Sequence, residues 1–583
     1  MKKFGIAFVL LLVSIACGAT DTVKPETPSV NPETSSINPA DLVLHNGAIY
    51  TVNERQPWAE SVAIKDGVFA FVGSDEDIEA YIGTSTRVID MQGKTVLPGL
   101  HDVHQHPLEA GSPVAGTCIL DMDADPEAMI PIIQDCAPNQ IGTDWVMGWG
   151  HSIYSLLESD RSPREILDEA VPDRPAIMLE QTSHSVWINS AALQAAGIDA
   201  STPDPPGGVI LRDPGTGEPN GILLDNAGNM LIDLALAPTP ELLDLHYEGL
   251  LYSLDELAKN GITSVADART YWGRGYHEVW LRAEREDALT VRTVLGLWAY
   301  PHFEDAEQLE TLKALYRNDP ESLLRISQIK LYSDGLLGNT TAAVFEPYLF
   351  DLEFTADNLG LNYFEENRLT DYIIELEQAG FDFHIHTIGD RGVHESLNAI
   401  EAAMAANGNS LDRRHRLTHL ELIGEADRSR FFELGVIADF QAGTFTLPEF
   451  YAENEEVIGE RAFDVVPIRS IYDTGAVITL SSDWDVNSLS PFVGIQNALS
   501  RGEGSLPGLE AAIAAYTING AYVMRQEGLT GSIEVGKYAD LVVIDQDMFE
   551  IPIDRIGETI VLLTLLEGEA VFRHASINDW FTD

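Results

Sequence analysis

Apolar and polar residues alternate with a period of about two in three short runs, DLVLHNGAIYTVN from Asp41, SVAIKDGVFAFVG and TRVIDMQGKTVLPG, punctuated by Asn-Gly and Asp-Gly. Alternate side chains of a strand face opposite sides, and these dipeptides favour tight turns, so the pattern predicts β-hairpins. The same texture returns near the other end in GSIEVGKYADLVVIDQD and VLLTLLEGEAVFRH. Two β flanks around a long middle predict one small β-sandwich domain assembled from both, over residues 41–96 and 526–583.

The middle, residues 97–525, alternates short apolar runs with amphipathic stretches such as ELLDLHYEGLLYSLDELAKN, RLTDYIIELEQAG and ESLNAIEAAMAANG. Eight strands are predicted in order: VLPGLHDVHQH, ITSVADA, VRTVLGLW, QIKLYSDG, FDFHIHT, RLTHLEL, GVIADFQ and AVITLSSD. Eight such units predict an α/β chain, a (β/α)₈ TIM barrel. An open doubly wound sheet is the runner-up, but no Gly-rich phosphate loop supports it. An insertion after the first barrel strand, about Leu108 to Leu242, is expected over the barrel mouth. Its Trp145, Trp149, His151 and Trp187 would line a pocket for an aromatic or apolar group or serve as core.

Titratable residues fall at the ends of these strands. His104 and His106 close the first, Lys330 lies in the fourth, His384 and His386 in the fifth, His419 in the sixth, and Asp483 ends the eighth. A barrel gathers strand C-termini at one face, so these residues converge, and His104 and His106, on one side of a strand, can grip one ion together. Each has a plainer role open to it. A lone strand histidine is more often packed or hydrogen-bonded, Lys330 can snorkel or pair with an acid, and Asp483 can cap a helix. A lysine buried beside cations instead loses its charge, and its neutral amine can be carbamylated into an oxygen ligand.

Charge narrows the partners. Against 92 Asp and Glu stand 35 Lys and Arg, a formal −57, and that field repels phosphate backbones and anionic lipid, so nucleic acid is excluded as a partner. The start, MKKFGIAFVLLLVSIACGAT, has the basic residues, apolar run and small residues of a secretory signal peptide. Cys17 after that run resembles a bacterial lipoprotein cleavage box, although Ser14 stands where a large apolar residue is usual. The expectation is a signal peptide over 1–17, a lipid anchor at Cys17 as the sole membrane contact, and an exported protein; plain secretion is the alternative. Residues 18–40, rich in Pro, Thr, Ser and Glu, predict a disordered tether. Cys118 and Cys136 are close enough to close a disulfide in an oxidising compartment.

HDVHQH, KLYSDG, HTIGDRG, RLTH, SSDWD, YTINGAYV and GSIEVGKYADLVVID, in this order, resemble the amidohydrolase superfamily, in particular its third subgroup of YtcJ-like metal-dependent amide hydrolases. The resemblance runs from about Asp41 to His574 and extends to DWVMGWG, LDEAVPDRPAIML and SHSVWINSAAL in the insertion. It implies that His104, His106 and Asp483 hold a first divalent ion, and that Lys330, carboxylated, bridges to a second held by His386 and His419. The HxxGDR pattern matches His386, which leaves His384 behind the ligands. Asp334, Arg391 and His184 match positions expected near the substrate, with a structural salt bridge equally open to Asp390 and Arg391. The chain departs from the family pattern at His101, at Thr418 where Glu is usual, and in QAGT at Gln441 to Thr444.

The implied activity is hydrolysis of a C–N bond in a small amide, N-acyl or cyclic amide. Two ions, zinc first among the candidates, would lower the pKa of a shared water, and Asp483 would carry the proton to the leaving nitrogen. The alternatives are a mononuclear deaminase of a heterocycle, in which Lys330 is no ligand, and a catalytically retired barrel that binds a ligand. Subgroup relatives make a homodimer the expected assembly.

Overall fold

The computed structural model describes residues 38–350, 352, 357–408, 411–443 and 446–581. The expected leader, residues 1–17, and nearly all of the expected tether, residues 18–40, lie outside the described residues. Eight parallel strands stand side by side in chain order: Leu100–Gln105, Ile262–Thr270, Arg292–Trp298, Leu324–Tyr332, Asp382–Thr387, Arg416–His419, Ile437–Gln441 and Ile478–Ser481. They are the eight read from the sequence, and they form the expected barrel. At the seam between last and first strands the Asp483 backbone N–H donates to the His104 carbonyl at 2.8 Å.

Strand periodicity sorts the barrel into two layers. Phe383 and Ile385 join the outer hydrophobic core, whereas His384 and His386 between them take the opposite face. The helices cover that outer face: Glu366–Glu377 buries Leu369, Tyr372, Ile373 and Leu376, spaced three and four apart as one side of a helix requires. Before the second strand, helix Pro240–Lys259 starts cleanly because the Thr239 side chain accepts from Leu242 N–H and Pro240 needs no partner in the first turn.

The two flanks share one sheet. Its strands run in the order Glu569–Arg573, Val561–Leu566, Leu541–Ile544, Thr95–Pro98, Ala48–Tyr50 and Trp58–Ala59, and Thr95–Pro98 pairs antiparallel with Leu541–Ile544. A second sheet, Val68–Gly73, Ser61–Lys65, Leu42–His45 and Arg87–Asp90, packs on it through Ile49, Val62, Ile64, Val96, Leu541 and Leu563. One sequence expectation needs correction here. VLPGLHDVHQH is two strands in two domains, with Thr95–Pro98 in the flank sheet and Leu100–Gln105 in the barrel. Gly99 makes the transition, and a Cβ there would lie 2.1 Å from Thr263 Oγ1, so only glycine passes that close to the neighbouring strand.

The insertion carries a six-stranded sheet of its own, ordered Gly208–Arg212, Pro219–Asp225, Ser185–Ile188, Ala176–Glu180, Val146–His151 and Cys118–Ile119. Trp187 is core there: it is fully buried and its indole N–H donates to the Pro163 carbonyl at 2.6 Å. His151 is buried too, and burial pushes its pKa down to about 3. The edge strand is stapled by a disulfide from Cys118 to Cys136, the last residue of helix Pro126–Cys136. The sheet reaches the barrel through His184, whose ring stacks on Tyr332 of the fourth barrel strand with centroids 5.3 Å apart.

The disulfide spans 18 positions. Removing it as Cys118→Ser with Cys136→Ser should cost about 3 kcal/mol through the freed unfolded state. Differential scanning calorimetry should show an earlier transition in the double variant and no shift with reductant.

Candidate metal centre

Three side chains converge where the first and eighth strands end. His106 Nε2 lies 3.0 Å and His104 Nε2 3.4 Å from Asp483 Oδ1, and the ligand atoms of the three fall within 4.8 Å of one another. The backbone turns sharply to make this possible. Asp483 has φ 54° and His419 φ 75°, left-handed conformations that non-glycine residues seldom adopt and that concentrate at functional sites.

Burial sets the protonation of the cluster. The pKa values of His104, His106 and His386 are lowered first by burial and then by neighbouring cationic groups, and that of His419 is pushed down to about 3. Neutral imidazoles are the form that binds metal. For Asp483 burial acts upward, but the hydrogen bond from His106 and the charges of His419, His106 and Lys330 outweigh it and hold the carboxyl below the usual carboxylate range. Lys330, fully buried, is shifted well down by burial; Asp483 opposes the shift, and Arg269 and Arg416 add to it.

A second set, His104, His384 and Asp439, is equally tight but already satisfied. Asp439 accepts from Thr418 and Thr479 at 2.8 Å and from Gln441 and Ser481 at 3.0 Å. Arg416 donates to His384 Nδ1 at 2.7 Å, which puts the His384 proton on Nε2, 3.4 Å from the Lys330 amine. This set supports the first. His104 Nδ1 lies 2.9 Å from the Thr418 hydroxyl and 3.1 Å from His384 Nε2, contacts that hold the ring with Nε2 facing Asp483 Oδ1 and the Lys330 amine, each at 3.4 Å. Threonine thus occupies the position of the usual Glu and relays to a carboxylate one strand away.

His386 and His419 stand outside both sets with ring centroids 4.4 Å apart, and His419 lies beside the first set, its ring 4.8 Å from that of His104 and its Nδ1 4.0 Å from Asp483 Oδ2. His386 Nε2–H donates to the Gly335 carbonyl at 3.2 Å, so Nδ1 carries the lone pair. That Nδ1, like Nδ1 of His106, is buried with no hydrogen-bond partner. Buried ring nitrogens without partners, beside an ionised carboxylate, fit a divalent cation.

The other expected residues divide. His184 lines the cleft over the centre and donates from Nδ1–H to Asp225 Oδ1 at 2.7 Å. Asp334 and Arg391, expected near the substrate, are placed elsewhere. The Asp334 carboxylate accepts backbone N–H groups of Ala343, Ile388 and Gly389 and the Ser333 hydroxyl, while Arg391 donates to Asn362, Glu395 and the Leu359 carbonyl. Both tie loops together. Asp390 accepts from Phe345 N–H in the same way.

Sequence reading missed Arg269, Glu109 and Glu421 at the site. Arg269 donates to Glu109 Oε2 at 2.8 and 3.0 Å and to the Tyr332 hydroxyl at 2.9 Å. Glu421 lines the cleft, and burial raises its pKa to about 7. Strand alternation could not place Arg269, because the register of the second strand shifts between Asp267, which accepts from Trp280 of an outer helix, and Thr270. The cleft is small, about 180 Å³.

The sequence profile of the amidohydrolase family matches residues 87–572. The chain belongs to the amidohydrolase family. This amidohydrolase is 28% identical to the YtcJ protein of Bacillus subtilis (strain 168), covering 91% of this chain and 99% of the other. It is also 28% identical to the N-substituted formamide deformylase of Arthrobacter pascens, over 91% of this chain and 97% of that one. A metal-dependent hydrolase from Pyrococcus furiosus, 22% identical, shares the fold with a TM-score of 0.65 over 87% of this chain and 99% of its own. Family and candidate ligands agree on a metal-dependent hydrolase.

Thr418→Val keeps the shape but removes the hydroxyl that orients His104. Metal affinity by chelator competition should fall about 10–100-fold, and Thr418→Ser should restore most of it.

Proposed function

We propose that this amidohydrolase cleaves the C–N bond of a small, neutral N-substituted or cyclic amide. The observation that carries the reading is the convergence of His104, His106 and an ionised Asp483 on a cleft whose wall also holds a buried, charge-poor Lys330. A relative named for deformylating N-substituted formamides supports this choice among amides. Divalent ions bound here supply Lewis acidity, lowering the pKa of water and polarising the substrate carbonyl.

The chain's own groups do the rest. In this reading His104, His106 and Asp483 would hold one ion, zinc by preference, and His386 and His419 would hold another, with a carboxylated Lys330 as a further ligand. Asp483 opens to the cleft with 13% of its side chain exposed, while His106 fixes its Oδ1. That geometry suits a carboxylate that takes a proton from the attacking water and returns it to the departing nitrogen. His184, steadied by Asp225, faces the cleft from the insertion and would hold the amide in place. The low-dielectric surroundings strengthen each of these contacts.

A mononuclear deaminase is the second reading, favoured by the placing of His386 and His419 outside the convergent triad. The disulfide supports export to an oxidising compartment, in line with the leader ending at Cys17. We further infer a homodimer, with no nucleic-acid partner.

Elemental analysis of full-length protein purified without chelator should give about two ions per chain, falling to one or none in Lys330→Ala. One ion, unchanged by the substitution, selects the mononuclear reading. Asp483→Asn should lower kcat on a neutral amide by about 10²–10⁴-fold, measured as amine release.

A further inference from the structure

Beside the metal cleft lies a second cavity of about 220 Å³, built by the insertion. Its walls include Ile119, Met147, Trp149, Ile177, Leu179 and Ile232. The two cavities share Ser183 and Arg269 as lining residues. Ser183 sits at φ 63° in the turn between two insertion strands, its N–H closed on the Glu180 carbonyl at 2.8 Å. Arg269 reaches both ways, to the Tyr332 hydroxyl on the metal side and to Glu109 on the apolar side.

The cations at this neck are paired within the protein, and the Asp485 carboxylate also borders the cavity. Glu109 is taken by Arg269, and Arg274, which also borders the cavity, pairs with Asp233 at 2.6 Å. An anionic ligand group entering here would lose its water and find both cations already paired, whereas apolar carbon gains from burial. The space exceeds the roughly 150 Å³ of a dry apolar cavity that holds benzene.

We propose that this cavity is the specificity pocket of the enzyme: it receives an uncharged apolar substituent, of about six carbons, carried by a substrate whose amide sits over His104, His106 and Asp483. The inference rests on the hydrolase reading for the amide it positions, while the pocket's preference for apolar carbon is a binding property of the insertion. Trp149 is the pocket aromatic among the four offered by the sequence, since Trp187 is core and Trp145 borders a separate surface depression.

The test uses N-alkylmethanesulfonamides, neutral and resistant to hydrolysis, from methyl to hexyl, titrated calorimetrically into the metal-loaded full chain. Kd should fall about fourfold per added methylene until the pocket is filled. Leu179→Glu places a carboxylate in the pocket and should flatten that dependence. Ile119 is 57% exposed at the rim, so Ile119→Glu serves if the first variant fails to fold and should weaken the hexyl compound most. Affinity independent of chain length in the unaltered protein, or the same dependence in folded variants, overturns the proposal. Amine release from neutral amides is measured in parallel. A chain-length dependence without hydrolysis refutes the hydrolase reading and keeps the pocket, and hydrolysis without the dependence refutes the pocket and keeps the hydrolase.

Discussion

Seating an ionised Asp483 among buried imidazoles and a buried lysine removes several charged and polar groups from water, a cost of several kcal/mol per unpaired ion. The barrel meets it in two ways. Histidines and Lys330 are pushed toward their neutral forms, and the ionised Asp483 is held by His106. Deeper in the barrel Asp439 remains buried because hydroxyls and an amide from neighbouring strands point at it. The polar interior is therefore graded, from a saturated layer that orients to a cleft layer with lone pairs to spare.

That grading assigns work to residues that never touch a substrate. Arg416 fixes the tautomer of His384, the Gly335 carbonyl that of His386, and Thr418 holds the ring of His104. The contact at His386 leaves its Nδ1 lone pair unused, as metal ligation requires. The loops are held with comparable economy: the Asp334 carboxylate gathers three backbone N–H groups from two segments, which keeps the loop after the fifth strand beside His386.

The insertion completes the site from outside the barrel. His184 stacks on Tyr332 and lies 5.2 Å from His386, and the turn at Ser183 divides the metal cleft from the apolar cavity. Chemistry thus belongs to barrel strands and shape to the insertion, an arrangement that lets one centre serve different substrates.

The sequence by itself determined the eight barrel strands, the paired histidines at the ends of the first and fifth strands, and the β texture of both flanks. Strand periodicity and turn residues act within a few positions, so a short window contains them. Tertiary structure decided the rest. The contact between Thr418 and His104 spans 314 positions and that of His106 with Asp483 spans 377, and no local pattern carries either. The break at Gly99 follows from the nearness of Thr263, and Asp334 and Arg391 were drawn into loops by backbone groups from elsewhere in the chain. Which residues can bear such chemistry is written locally, but which of them face one another depends on how the barrel closes and what the insertion covers.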